Sequence, residues 1–222
     1  MELSDEQQLI QETVRAFVDE RVRPVVDEAD ESQTFPEDVW DALAELDLTG
    51  LTVPESYGGF DADGLTKSIV NEELAYGHLS IATALSVHSL ATSCIAEFGS
   101  DEQKERWLPE MTTGRPVGAF ALSEADAGSN PAEMTTEARR AGDEYVIEGQ
   151  KQWITNGQRA GVVVLFAKTD RDDPDTVTQF LVPTDVDGLE VGKKEDKLGP
   201  VSYTHLRAHE TGRNLVCRLL LE

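Results

Sequence analysis

Two short segments of this 222-residue chain combine residue types that could do chemistry. The first is Ala119-Phe120-Ala121-Leu122-Ser123-Glu124-Ala125-Asp126-Ala127-Gly128-Ser129-Asn130. A β-type run passes into a polar loop where Ser123, Gly128 and Ser129 gather hydroxyls and backbone N–H groups. Glycine permits close approach, and such a nest of N–H groups suits a polar or anionic ligand. The same composition also fits an ordinary surface loop. The second segment is Gly149-Gln150-Lys151-Gln152-Trp153-Ile154-Thr155-Asn156-Gly157. Trp153-Ile154-Thr155 is strand material, and Asn156-Gly157 is a hairpin turn signal. A Trp next to a β-branched residue and a hydroxyl can stack on a flat heterocycle and hydrogen-bond its edge. It can equally be the core Trp of a plain hairpin. Neither segment is a GxGxxG or a P-loop, and no nucleophile elbow, HExxH or zinc spacing occurs.

The elements that must position these segments change character near residue 116. Before it the periodicity is helical. Ser4 with Gln7 makes a capping box, Ile10, Val14, Phe17, Val18 and Val22 follow at helical spacing, and Pro24 lies just past the expected end. Pro36 opens a helix carrying Val39, Leu43 and Leu46, with Gly50 as its stop. Gly58-Gly59 marks an irregular turn. Helices are expected over about 66–77 and 81–98, the second apolar enough to be buried on most sides. Ser100 and Gln103 make another capping box for a helix to about Met111. After it come short β-type runs at 117–122, 135–140, 145–147, 161–167, 176–182 and 189–191. The expected fold class is α+β, with an all-helical domain over 1–115 and an antiparallel β domain over 116–199.

Residues 1–199 resemble the acyl-CoA dehydrogenase family nearly end to end. The resemblance includes the Gly58-Gly59 loop, Phe98-Gly99-Ser100-Asp101-Glu102-Gln103-Lys104 and Trp107-Leu108-Pro109. It is most specific in the two segments above. The family pattern Thr-Glu-Pro, two residues, Gly-Ser-Asp is met by Ser123-Glu124-Ala125 and Gly128-Ser129-Asn130. The pattern Lys-x-Trp-Ile-Thr-Asn-Gly is matched at every fixed position of 151–157. The resemblance implies FAD as cofactor, contacted by Phe120, Ala121, Leu122, Ser123, Gly128, Ser129, Trp153, Ile154 and Thr155. In that family Ser129 also lies where the CoA portion of the substrate meets the cofactor. Ala125 for proline loosens the loop, and Asn130 for aspartate removes a charge.

The implied reaction is oxidation of an acyl-CoA thioester to the 2,3-enoyl-CoA, with electrons passing to an electron-transfer flavoprotein. The implied assembly is a homotetramer. The family's carboxylate base comes from a carboxy-terminal helical domain, and nothing after Gly199 resembles it. No catalytic residue is therefore assigned, and the chain as written is expected to be an inactive fragment of a parent enzyme. The other candidates are a non-catalytic truncated product and an oxygen-using relative such as an acyl-CoA oxidase.

The net charge of −24 disfavours nucleic acid as a partner, because phosphate binding needs a basic surface. Dispersed acidic residues suit a salt-rich cytoplasm, where screening relieves self-repulsion. The acidic residues, Glu72 and Glu73 among them, read as solvated surface, and His78 and His88 as packing or surface residues. No apolar run approaches the roughly 20 residues of a membrane span, and the acidic start at Met1-Glu2-Leu3 is unlike a signal peptide. The expected location is the cytoplasm. Cys94 reads as a buried thiol, and no metal site is expected. Residues 200–222 carry a net charge of +1, two acidic against three basic residues, which leaves −25 for residues 1–199. That break reads as a junction to a non-native tail.

Overall fold

The computed structural model of the protein describes residues 2–194 and 203–208. The helices are α1 (Asp5–Phe17), α2 (Val26–Ser32), α3 (Glu37–Glu45), α4 (Gly64–Gly77), α5 (Leu79–Phe98) and α6 (Asp101–Met111). The strands are β1 (Val117–Ala121), β2 (Glu137–Ala141), β3 (Glu144–Thr155), β4 (Ala160–Lys168), β5 (Val177–Pro183), β6 (Leu189–Lys194) and β7 (Tyr203–Ala208). Both capping boxes form as read: the Ser4 and Ser100 hydroxyls accept from the Gln7 and Gln103 N–H groups, and each glutamine side chain accepts in return. The helical-then-β division stands, as does the α+β class. The break in charge bias at 200–222 falls mostly outside the described residues, as does Cys217. Residues 203–208 form β7, which pairs antiparallel with both β3 and β6.

Four expectations are corrected. Pro24 does not end the first helical stretch. The chain continues through a π-helical turn (Val18–Val22) and a 3-10 turn (Arg23–Val25) into α2. Pro24 sits in the first positions of that 3-10 turn, where its missing N–H removes no hydrogen bond. Gly50 does not stop α3, which ends at Glu45, but closes a separate 3-10 turn. Helix α5 is 20 residues long and apolar enough to cross a membrane by length and composition. Its apolar side chains have another use, since Ile81, Ala84, Leu85, Ala91 and Ile95 are all buried in the protein's own core.

The fourth correction concerns the sheet, which is mixed rather than antiparallel. β1 lies parallel to β4, and the order runs β1-β4-β2-β3-β7-β6 with β5 on β4. Asn156-Gly157 makes a turn but no hairpin, because β3 and β4 do not pair among the described strands. The reason is side-chain chemistry. Asn156, with φ of 64°, is buried, and its amide Nδ2 donates to Ala84 O in α5 and Gly118 O in β1. The turn thus ties β3 to the helical layer and sends β4 back alongside β1.

The sheet is covered on both faces. Val162 and Val164 of β4 pack with Leu181 against Ala91, Cys94 and Ile95 of α5 and Leu108 and Met111 of α6. The alternate residues Val163, Leu165 and Ala167 face Ala119, Ala121, Ile147, Ile154, Phe180 and Val182. Burial on both faces explains why 161–167 reads as a continuous apolar run. A separate helical core surrounds Trp40, Leu43, Val70, Leu74 and Leu85.

Candidate cofactor site

The loop from 122 to 136 joins β1 to β2, and β3 runs beneath its mouth. The Gln152 N–H donates to Ser123 O at 2.9 Å, and Lys151 Nζ donates to Leu122 O at 3.0 Å. The two segments singled out in the sequence therefore meet in space. Gly128 and Ser129 lie exposed on the loop, and a Cβ added at Gly128 would meet open space. Ser123 is half-buried at the loop's start.

Strand β3 carries an irregularity between Lys151 and Ile154. Simple alternation from buried Lys151 would turn Trp153 inward. Instead Trp153 takes φ of 62° and is 47% exposed, while Ile154 and Thr155 are buried. Positive φ is an outlier for a bulky side chain and costs on the order of 1–3 kcal/mol. Bulges of this kind re-aim side chains beside functional sites. The strand thus aims its indole outward beside the loop, which rules out the core Trp of a plain hairpin.

Not every nominated side chain faces this place. Ala121 and Ile154 are packed in the sheet core, so their backbone is what they can offer. Phe120 points toward the helical layer, its ring 4.9 Å from that of Phe166. Thr155, at 4% exposure, sits at the strand's end next to Asn156. Asn130 has a use for its amide: Nδ2 donates to Glu133 Oε1 at 3.0 Å, a bond that an aspartate at 130 could not donate.

Sequence reasoning missed the groups that hold the loop. Two acidic residues read as solvated surface are buried. Glu73 accepts from Gln11 and Arg15, and the Arg15 hydrogen bond holds its carboxyl below the usual range. Glu124 is 7% exposed and accepts from the backbone N–H and hydroxyl of both Thr135 and Thr136, and from Lys151 Nζ at 2.8 Å. Burial opposes the Glu124 charge, but the bonds from Lys151, Thr136 and Thr135 outweigh it and hold the pKa at about 2. Burial lowers Lys151, and the Glu124 charge opposes that shift. No spacing rule links Glu124 to Lys151, 27 apart in sequence, and the two buried acids are hidden among 43.

The Glu124 carboxylate fixes the sign of an acid response. Its folded pKa lies below the unfolded one, so it contributes stability above pH of about 4.5 that is lost as pH falls toward 2. In thermal melts across that window, wild type should lose more than Glu124→Gln. Equal slopes would mean the carboxylate is not held as described.

The residues present fit a flat, partly anionic cofactor. Trp153 is held outward at a conformational cost, hydroxyls stand at Ser123, Ser129 and Thr155, and Gly128 leaves the loop backbone approachable. Among the described residues, no cluster of three or more metal-ligating side chains occurs.

Comparison with known proteins bears on the chain as a whole. The family description "Acyl-CoA dehydrogenase, N-terminal domain" matches residues 4–115, and "Acyl-CoA dehydrogenase, middle domain" matches residues 119–209. The rat protein "Short-chain specific acyl-CoA dehydrogenase, mitochondrial" is 38% identical over 224 aligned residues, covering 99% of this chain and 53% of its own length. The chain spans about half the length of the curated relatives it matches. A solved structure described as an electron transferring flavoprotein of Acidaminococcus fermentans aligns with a TM-score of 0.90 and 32% identity, covering 94% of this chain and 56% of that one. A glutaryl-CoA dehydrogenase from Mycobacterium smegmatis in complex with FADH2 aligns with a TM-score of 0.87 and 36% identity, covering 93% and 53%. The match over residues 4–115 takes in half of the chain, and the chain belongs to the acyl-CoA dehydrogenase family.

Proposed function

We propose that this chain is the flavin-holding part of an FAD-dependent enzyme that oxidises an acyl-CoA thioester to the 2,3-enoyl-CoA. The observation that carries the reading is the meeting of the 122–129 loop with the re-aimed Trp153 strand. Leu122, Ser123, Gly128 and Ser129 hold the cofactor from the loop, and Trp153 and Thr155 hold it from the strand. Trp153 offers a ring to stack on, and the Ser123 and Thr155 hydroxyls orient the ring edge. Ser129 contacts the CoA portion. FAD, when bound, supplies the hydride acceptor; the protein supplies orientation and electrostatics.

The α-proton base is a group other than Glu124. Glu124 is the acid embedded in the loop, and its oxygens are occupied by five donors with the pKa held at about 2. A base near neutral pH needs a carboxyl pushed the other way. An electron-transfer flavoprotein as acceptor fits the acyl-CoA dehydrogenase family to which the chain belongs. We extend the proposal to a cytoplasmic homotetramer.

Two measurements test this reading. Titrated into the purified chain, FAD should bind with quenching of its fluorescence, and Trp153→Ala should weaken binding by about tenfold through lost stacking. An affinity unchanged by that substitution would remove the strand from the site. The net charge of −24 adds an expectation: the melting temperature should rise from dilute buffer to molar potassium chloride as self-repulsion is screened. A flat response would end the proposal of a salt-rich cytoplasm.

A further inference from the structure

The 122–136 loop has an unusual distribution of anchors. Between Ala125 and Glu133 only Ala127 is buried, and most of the other residues are exposed. Packing at the tip therefore does not set where the loop lies. The mouth does. Lys151 is 1% exposed and reaches both ends at once: Leu122 O at 3.0 Å and Glu124 Oε1 at 2.8 Å on the outgoing side, and Met134 Sδ at 3.9 Å on the returning side. Glu124 then accepts from Thr135 and Thr136, where the loop rejoins the sheet. Gly149 lies against the returning end, since a Cβ there would collide with Thr136.

A buried ion pair is poorly explained by stability alone, because well-packed apolar residues often serve as well. A lysine does something those residues cannot: one ammonium bonds the two ends of a loop together. Lys151 also adjoins Gln152, whose N–H holds Ser123 O, and Trp153 follows directly.

We propose that Lys151 and Glu124 are positioning residues, a staple across the loop mouth that sets Ser123, Gly128 and Ser129 in register with Trp153. The staple fixes the relative placement of the two cofactor-contacting segments before anything binds. The inference rests on the flavin reading above for what the loop presents, but the staple itself is testable without cofactor.

The test compares the full chain with its Lys151→Met and Glu124→Gln variants. Hydrogen exchange is followed by mass spectrometry on peptides spanning 122–136 and on peptides from α5, well below each variant's melting temperature. Loop peptides should lose about tenfold or more of their protection while α5 peptides keep theirs. Should Lys151→Met fail to fold, Glu124→Gln, which keeps the shape of the side chain, gives the same comparison. Loop protection within about twofold of wild type in a folded variant would overturn the staple. FAD titration supplies the second readout. Where wild type binds FAD, a loosened loop should weaken binding by about tenfold, and unchanged affinity would overturn the positioning role. If the loop loosens but wild type binds no FAD, the staple stands and the flavin reading falls.

Discussion

Trp40→Ala should lower the free energy of unfolding by about 3–5 kcal/mol, the range for emptying a large aromatic site in a core. Trp40 is 0% exposed at the junction between helices and sheet. Its Nε1–H donates to Gly114 O at 2.9 Å, so truncation also strands a buried carbonyl. Its ring packs edge-on to His88 at 5.3 Å, and the Arg159 guanidinium lies 4.3 Å from its centroid and 4.0 Å from that of Phe35. Arg159 in turn pairs with Glu37, which also pairs with Arg115. Removing the indole therefore loosens a cation held between two rings. Against a typical stability of about 5–15 kcal/mol the loss is large. Urea denaturation would measure it, and a loss below about 1 kcal/mol would mean that this junction contributes little.

Acidification should act on the same junction through His88. The imidazole is fully buried; Nδ1 accepts from the Gly118 N–H at 2.9 Å, and Nε2 faces Met111 O at 3.1 Å. That pattern requires the neutral ring with its proton on Nε2. Burial, aided by the Arg159 charge and opposed by the Met111 carbonyl, pushes the pKa down to about 4. The unfolded ring titrates near about 6.5, so between those values the unfolded chain binds a proton that the folded chain refuses. Stability therefore falls as pH drops from about 6.5 to about 4, by up to about 3 kcal/mol, and this loss saturates below the folded pKa. His88→Gln can accept and donate in the same directions without titrating, and its melting temperature should lack that slope. An identical slope in the variant would place the acid sensitivity elsewhere. The window differs from that of Glu124, which acts below about pH 4.5.

His88 and Glu124 mark where the sequence stopped being legible. A histidine inside an apolar helix reads as a packing residue, and it is one. Its bonds to Met111 and Gly118, 23 and 30 residues away, have no local signature. Glu124 stands in a polar loop and looks like surface, yet the returning strand and Lys151 enclose it.

Most of the helices, both capping boxes, the change to β structure near residue 116 and the two segments that meet at the site are legible in the residues alone; α2 and the ends of the first helices are not. The legible features rest on periodicity and on contacts within a few residues, which a linear string records. Packing across the chain is what makes Asn156 break a hairpin to tie β3 to α5 and β1, and what turns Trp153 outward. The same packing closes the loop mouth with Lys151 on Glu124. Each of these depends on which distant donor or acceptor a buried polar group finds, and burial makes that choice costly to leave unmade. Sequence spacing names the groups; the packed chain chooses their partners.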